Sequence, residues 1–417
     1  MSDACRRRET CQLCGGRDLE RVLSLTATPP ANAFVGAADV GAAQPAYPLE
    51  VALCGSCRHV QLLDIVDPSV LFENYVYVSG TSPAFVQHFE DYAAEVTSRF
   101  SPAAGGLVVD IGSNDGTLLS AFQSRGHRVL GIDPARDIAA AATARGIETR
   151  AAFFTDELAA DLAAEHGNAA VITANNVFAH AEDLAGITDG VRRLLAADGV
   201  FVFEVSYLVD VYESTLFDTI YHEHLAYHSV TPLAAFFARH DLRLFAAERV
   251  ASHGGSLRGY VCHQSAEWPD DGSVAALISL EHGLSLHEAA TLRAFSAKID
   301  GIGAELGGRL RDLKASGKSV AAFGAPAKAT TLMYHFGIGP ETIDFIVDDS
   351  PLKQGLFSPG MHIPVLPVTE MYARRPDAVV VLAWNFAAPI IANHQAYLDA
   401  GGQFIVPLPE VSAHAAE

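Results

Sequence analysis

The chain has 417 residues, 50% hydrophobic and 18% charged, so its length predicts two or three domains and its composition excludes disorder of the whole chain. Its 28 Lys and Arg against 49 Asp and Glu give a net charge of −21, which excludes a chain-wide cationic surface for nucleic acid or anionic membrane. The apolar stretch 378–392 is short and contains a proline, and residues 1–8 are not followed by the apolar run of a signal peptide. We therefore expect a soluble, cytoplasmic protein that binds neither nucleic acid nor membrane.

Two Cys-x-x-Cys pairs lie near the start of the chain. Each such turn lets two thiolates point at one centre, and two turns supply the four sulfur ligands of a closed tetrahedral site, which suits structural zinc. Two unrelated pairs, one of them redox-active, are the alternative. The other two cysteines of the chain are expected to be bystanders. The predicted zinc ligands are Cys11, Cys14, Cys54 and Cys57.

The region 106–119 has the pattern of an apolar strand, a tight glycine turn and a helix start. The turn departs from the dinucleotide-binding pattern Gly-x-Gly-x-x-Gly, and a second strand ends in an acid placed to accept both hydroxyls of a ribose. This combination predicts an α/β domain that binds S-adenosylmethionine (SAM), and a doubly wound domain without a ligand is the alternative. An aromatic residue and an amide follow the next strands, where a ligand would lie. The predicted cofactor-binding residues are Asp110, Gly112, Asn114, Gly116, Asp133, Phe153 and Asn175.

Downstream of this sheet, the segment 218–228 is dense in histidine, tyrosine and acidic residues. It is not the His-Glu-x-x-His motif of zinc proteases, because Ala226 occupies the position of the second histidine. We interpret the segment as proton-transfer machinery, since imidazole titrates near neutral pH. The alternatives are a metal pair formed by His224 and His228 on one helix face, or histidines with a purely structural role.

Three further segments suggest ligand contacts. The glycine turn 252–258 suits an anionic or polyhydroxylated ligand or, alternatively, a hairpin between two strands. The aromatic and hydroxyl side chains of 72–82 would close over a ligand or fill a domain junction. A long helix over 284–316 is followed by a second strand, glycine turn and helix, with Lys328 placed to reach a phosphate. The alternative is that this C-terminal α/β unit is purely structural and binds no ligand.

These motifs occur in one order along nearly the whole chain, and together they resemble a known family. It comprises the SAM-dependent C-methyltransferases that act on dTDP-4-keto-deoxysugars in bacterial deoxysugar and antibiotic biosynthesis. The sequence is similar to the members of this family that methylate C3, such as the enzyme of the tetronitrose pathway. The resemblance implies an α/β protein with three domains. These are a small N-terminal zinc-binding domain (1–70), a central SAM-binding Rossmann-like methyltransferase domain (71–270), and a second Rossmann-like α/β domain (271–417) that helps to hold the sugar nucleotide.

The resemblance also implies methylation at C3 through a base-generated enolate. His224 is preferred over Tyr221 as the base because a tyrosinate requires a strongly lowered pKa. Glu223 would position these side chains, and His180 and Tyr75 would line the site and stabilise the enolate oxygen. The predicted substrate-binding residues are Tyr77, Ser79, His253, Ser256, Arg258 and Lys328.

Three alternatives to this function stay open at this point. They are a C5-methyltransferase of the same family, an O- or N-methyltransferase of another small metabolite, and a non-enzymatic module that binds zinc and a nucleotide. We expect a monomer or weak oligomer.

Overall fold

The computed structural model describes residues 4–72 and 83–416, which form an N-terminal, a central and a C-terminal sheet and one two-stranded ribbon. The strands are β1 (Cys5–Arg7), β2 (Leu19–Thr28), β3 (Tyr47–Cys54), β4 (Val60–Leu62), β5 (Asp64–Val66), β6 (Leu107–Ile111), β7 (Arg128–Ile132), β8 (Thr149–Arg150), β9 (Ala169–Asn175), β10 (Leu195–Ser206), β11 (Ala226–Tyr227), β12 (Leu242–Val250), β13 (Ser256–His263), β14 (Val320–Phe323), β15 (Ile346–Val347), β16 (Val365–Leu366), β17 (Ala378–Val381), β18 (Gln403–Val406) and β19 (Ser412–Ala415). The helices are α1 (Pro68–Phe72), α2 (Pro83–Phe100), α3 (Thr117–Gln123), α4 (Arg136–Ala144), α5 (Asp156–His166), α6 (Leu184–Leu194), α7 (Leu208–Glu213), α8 (Val230–Arg239), α9 (Ser273–Gly283), α10 (Ala289–Ala315), α11 (Ala327–Phe336), α12 (Thr369–Arg374), α13 (Ala387–Asn393) and α14 (Gln395–Asp399).

The N-terminal sheet is antiparallel, in the order β11-β4-β3-β2. Its edge strand β11 comes from the middle of the chain, and Ala226 pairs with Gln61 of β4. Leu62 also donates its backbone N–H to the carbonyl of Leu225. The segment that contains the predicted catalytic residues is therefore anchored to the N-terminal domain by backbone hydrogen bonds.

The central sheet has the order β12-β13-β10-β9-β6-β7-β8, and β13 runs antiparallel to both of its neighbours. All of β6 is buried: Leu107, Val109 and Ile111 join one apolar cluster, whereas Val108 joins another on the opposite face. Burial on both faces explains why the sequence reads as a continuous apolar run. The strand order reverses between β6 and β9, so a crevice opens at their carboxyl ends, where ligands bind in such sheets.

The structure shows which form two of the predicted elements take. The glycine turn after residue 250 joins the antiparallel strands β12 and β13, so the hairpin interpretation is correct. The long helix predicted over 284–316 is α10, which begins only at Ala289, because Ser285 adopts a left-handed φ of 54° that a continuous helix does not allow.

The C-terminal sheet has the order β16-β15-β14-β17-β18-β19 and is parallel except for β19. It is a second doubly wound sheet, and its strand order reverses between β14 and β17. Helices α10 and α11 contact β2, so the C-terminal domain lies against the N-terminal sheet. In the described part of the chain, no helix combines the length and apolar character that a membrane span requires.

Candidate active site and zinc centre

The four cysteine sulfurs converge on one point. All lie within 4.8 Å of one another, with Sγ–Sγ distances of 3.5 Å for Cys11 and Cys57 and 3.6 Å for Cys14 and Cys54. A tetrahedron with Zn–S bonds of about 2.3 Å has sulfurs about 3.8 Å apart, so this spacing fits zinc. Among the residues that the structure describes, no other group of three or more His, Cys, Asp or Glu has metal-binding geometry.

The first cysteine turn also contacts the central domain. The side chain of Gln12 donates to the carbonyl of Ala181, and its backbone N–H donates to Gln61 at 2.8 Å. Arg239 of α8 donates to the carbonyl of Leu13 at 2.7 Å. The zinc-binding turn is thus a support for the loop 176–183, which follows β9.

The predicted cofactor turn lies at the carboxyl end of β6. Gly112, Asn114 and Gly116 all adopt left-handed backbone conformations, with φ of 70°, 48° and 77°. Glycine adopts these angles without strain and asparagine tolerates them. A Cβ atom on Gly112 would overlap the side chain of Val177, so the turn lies directly against the loop after β9.

Two carboxylates border this turn. Asp133, after β7, accepts hydrogen bonds from the backbone N–H groups of Asn114 at 2.8 Å and Ala135 at 2.9 Å. Asp110 is buried and accepts a hydrogen bond from the hydroxyl of Thr173 at 2.6 Å. Burial, opposed by this hydroxyl, raises the pKa of Asp110 to about 7. This hydrogen bond links β6 to β9 two residues before the turn begins.

The other two predicted cofactor residues present groups that suit an adenosyl ligand. Both amide atoms of Asn175, at the end of β9, are buried without a hydrogen-bond partner among the described residues. Phe153 is 70% exposed, which is unusual for so large an apolar side chain. A buried polar group without a partner and an exposed aromatic ring are each explained by a ligand that contacts them. The donor set therefore fits SAM.

His224 lies at the centre of a cluster of rings. Its ring centroid is 4.8 Å from that of His180 and 4.2 Å from that of Tyr221. Its Nδ1 atom is 2.7 Å from the carbonyl oxygen of Thr219. Because a carbonyl only accepts hydrogen bonds, Nδ1 carries the proton and Nε2 is the basic nitrogen of the neutral ring.

The ring cluster is connected to the cofactor turn through the loop after β9. His180 donates its backbone N–H to the carbonyl of Val177 at 2.9 Å, and Val177 is the residue against which Gly112 lies. The carbonyl of Ala179 in turn accepts from Leu225 at 2.9 Å. A short path of contacts through the loop after β9 therefore joins the predicted methyl-donor site to the predicted base.

The alternative of a metal pair formed by His224 and His228 on one helix face is wrong. The segment 221–228 contains no helix, because β11 extends the chain to pair with β4. His228 is fully buried and stacks on His59, with ring centroids 5.5 Å apart. His228 is therefore a packing residue of the core.

Glu223 is buried beside the N-terminal domain. Its Oε1 accepts a hydrogen bond from the side chain of Asn32 at 3.0 Å. Burial, opposed by this bond, raises the pKa of Glu223 to about 7. Sequence reasoning missed Asn32, because it lies in the loop-rich stretch between the cysteine pairs and no local pattern marks it.

Arg258 has carboxylate partners within the protein. Its guanidinium donates to Glu204 at 3.0 and 3.1 Å and to Glu95 at 2.7 Å. Burial opposes ionisation of Glu204, but hydrogen bonds from His88 and Ser252 and the charge of Arg258 lower its pKa to about 2. The prediction that Arg258 binds an anion now requires this ion pair to open.

Lys328 is paired as well. Its Nζ lies 3.7 Å from Oδ2 of Asp218 and 4.2 Å from the centre of the Trp384 ring. Neither Asp218 nor Trp384 was predicted from the sequence, since they are far from each other and from Lys328 along the chain.

Of the remaining predicted residues, Ser256 is the one whose side chain lies in the described part of the chain. Ser256 is buried at the start of β13 and donates to the carbonyl of Ser252 at 3.1 Å. Tyr75, Tyr77 and Ser79 lie outside the described residues, as does the side chain of His253.

Comparison with known proteins decides the family. Three family models match successive parts of the chain: a zinc binding domain at 11–72, a methyltransferase domain at 85–247 and a C-methyltransferase C-terminal domain at 251–409. The chain is also 36% identical over 417 residues to C-methyltransferase NovU of Streptomyces niveus, covering 100% of this chain and 99% of that one. The chain belongs to the SAM-dependent C-methyltransferases. This C-methyltransferase uses SAM as methyl donor and holds structural zinc, as its motifs predicted.

Solved structures resemble the C-methyltransferase only in part. YcgJ of Bacillus subtilis has 17% identity and a TM-score of 0.31, covering 39% of this chain and 73% of that one. The O-methyltransferase NcsB1 of neocarzinostatin biosynthesis has 20% identity and a TM-score of 0.32, covering 44% and 59%. At these TM-scores neither likeness bears on substrate or mechanism.

Proposed function

We propose that this C-methyltransferase methylates C3 of a dTDP-linked 4-keto-deoxysugar through an enolate, with His224 as the base. The observation that carries the proposal is the hydrogen bond between Nδ1 of His224 and the carbonyl of Thr219. It leaves Nε2 as the proton acceptor of the neutral ring, which a reaction that starts by breaking a C–H bond requires.

The chemistry follows from the ketone. The 4-ketone acidifies the hydrogen on C3, and Nε2 of His224 removes it as a proton while the electron pair moves onto the ketone oxygen. His180, 4.8 Å from His224 between ring centroids, and Tyr75 are the proposed donors to that oxygen. SAM, when bound, supplies an electrophilic methyl group and a neutral thioether leaving group. The enolate carbon forms the new C–C bond, and His224 then loses its proton to solvent.

Three other residues support this role of His224. The Thr219 carbonyl accepts from the protonated ring as well as from the neutral one, so it orients the base throughout the reaction. The ring of Tyr221 packs against that of His224, with ring centroids 4.2 Å apart. Glu223 is proposed to hold the segment in place through Asn32.

The sugar nucleotide is anionic and the protein carries a net charge of −21, so local groups must bind the diphosphate. Arg258 and Lys328 are already paired with carboxylates. The proposed contacts to the substrate therefore centre on side chains with hydroxyl and imidazole groups. These are Tyr77, Ser79, His253 and Ser256.

The test is His224→Asn with a dTDP-4-keto-dideoxyhexose as substrate. We expect methyl transfer to be lost while calorimetry shows unchanged SAM binding, and solvent deuterium no longer to exchange into C3. His240→Asn, which removes a histidine that contacts Asp189 on α6, is the matched control and should keep the wild-type rate. A wild-type rate in His224→Asn would overturn the assignment of the base.

The product of the wild-type enzyme tests the substrate assignment. Mass spectrometry should show one added methyl group, and NMR should place it on C3. A methyl group on C5 would identify the other carbon beside the 4-ketone as the target. A methyl group on oxygen or nitrogen, formed without exchange of a carbon-bound hydrogen, would exclude the enolate mechanism.

A further inference from the structure

The segment that precedes Tyr221 is held by the C-terminal domain. The ring of Phe217 lies 5.0 Å from that of Phe336, between centroids. The carbonyl of Ile220 accepts a hydrogen bond from the hydroxyl of Thr331 at 2.9 Å. Phe336 and Thr331 both belong to α11, so this helix contacts the segment at both ends.

Asp218, between these two contacts, is fully buried. Its Oδ2 accepts a hydrogen bond from the indole N–H of Trp384 at 2.6 Å and lies 3.7 Å from Nζ of Lys328. Nζ also lies 4.2 Å from the centre of the Trp384 ring, in cation–π geometry. A buried carboxylate is costly unless it is paired and hydrogen-bonded, so these two residues are what allow Asp218 to remain in the interior.

Trp384 and Lys328 lie just after the two strands between which the C-terminal sheet reverses its order. Trp384 follows β17, and Lys328 lies in the first turn of α11, which follows β14. Asp218 therefore occupies the edge of the sheet where a ligand would otherwise bind. The next residue, Thr219, supplies the carbonyl that accepts from Nδ1 of His224.

We propose that Asp218, Trp384 and Lys328 form a positioning cluster by which the C-terminal domain fixes the Thr219 carbonyl and, through it, the tautomer of His224. This inference rests on the proposed role of His224 as the base. The three residues are positioning residues, since they act through the Thr219 peptide. For Lys328 the cluster replaces the phosphate contact that the sequence suggested.

The first test is Trp384→Phe, which removes the indole N–H and keeps an aromatic ring under Lys328. We expect kcat to fall about tenfold or more, since a hydrogen bond to a charged group is lost, while KM for the sugar nucleotide stays within about twofold. The matched control is Trp268→Phe, because the indole of Trp268 donates to the carbonyl of Asp198 in the central domain. This control should keep both constants.

The second test is independent of turnover. In protein labelled with ¹⁵N-histidine, the His224 signals are identified by their absence in His224→Asn. We expect the Nδ1–H tautomer in the wild type and in Trp268→Phe, and a mixture of tautomers in Trp384→Phe. A wild-type tautomer and wild-type kcat in Trp384→Phe would overturn the positioning cluster and leave His224 as the base untouched. Full activity of His224→Asn, by contrast, would contradict the assignment of His224 as the base.

Lys328→Met provides a second variant that keeps the aliphatic stem. A positioning role predicts a lower kcat with little change in KM. A contact with the diphosphate predicts a raised KM with an unchanged tautomer of His224, and that result would contradict the cluster. The same comparison decides the question if Trp384→Phe does not fold.

Discussion

The Nδ1 atom of His224 lies 2.7 Å from the carbonyl oxygen of Thr219, so the side chain proposed as the base is oriented by a backbone group five residues before it. A backbone carbonyl cannot change its protonation state, and it therefore fixes which nitrogen of the ring is basic. The orientation of that carbonyl in turn depends on how the short segment 217–220 is held. If His224 is the base, as proposed, we expect catalysis to be sensitive to contacts made well away from the reacting atoms.

Tyr221→Phe separates the two candidate bases. The variant keeps the ring that lies 4.2 Å from His224 and loses only the hydroxyl. With His224 as the base, we expect the rate of deuterium exchange at C3 to fall about 10- to 100-fold, as for a lost auxiliary group. His224→Asn should reduce the exchange much further. A larger loss of exchange in Tyr221→Phe than in His224→Asn would instead identify Tyr221 as the base.

Gly112→Ala should weaken SAM binding at least tenfold, because the new methyl group overlaps Val177 and displaces the turn from the loop after β9. Calorimetry with SAM measures the effect. Gly126→Ala is the matched control: it has a similar φ of 87° and open space around its Cβ position. It should cost about 1 to 2 kcal/mol of stability and leave SAM affinity unchanged. Equal affinities in the two variants would contradict the assigned turn.

Cys54→Ser should abolish zinc binding and lower the melting temperature, since Cys54 is fully buried and the other three ligands cannot close the site. Zinc content by mass spectrometry and thermal unfolding measure the two effects. We expect one zinc ion per chain in the wild type and in Cys262→Ser, which changes a buried cysteine of the central domain. Retention of zinc by Cys54→Ser would show that this residue is not a ligand.

Glu223→Gln should gain stability relative to the wild type as the pH rises from 5 to 8. Burial raises the pKa of Glu223 from 4.5 to about 7, so between these values the folded state binds more protons than the unfolded state. Wild-type stability therefore falls as pH rises through this window, by about 3 kcal/mol from this group. Glutamine keeps the acceptor for Asn32 and cannot ionise.

Denaturant unfolding of the two proteins at several pH values measures this difference. Glu157→Gln, on the first turn of α5, is the control and should follow the pH dependence of the wild type. A constant difference between Glu223→Gln and the wild type would show that Glu223 is ionised at pH 5 already.

Much of the architecture follows from local sequence patterns. The paired cysteine turns and the glycine turn after β6 are set by neighbouring residues, because ligand spacing and left-handed backbone angles are local properties. The apolar runs of β6 and β10 likewise predict strands buried on both faces. The domain limits at residues 70 and 270 remain predictions.

The sequence by itself therefore determined the family and the four zinc ligands, and it supplied the predicted SAM-binding turn and the segment that holds His224. Only the tertiary structure decided what surrounds that segment. Asp218 and Trp384 are separated by 166 residues, and Asn32 and Glu223 by 191. No periodicity or motif couples positions so far apart, since their contact depends on how the three sheets meet. The charges of Arg258 and Lys328 were visible in the sequence, but the carboxylates that pair with them were fixed only by packing.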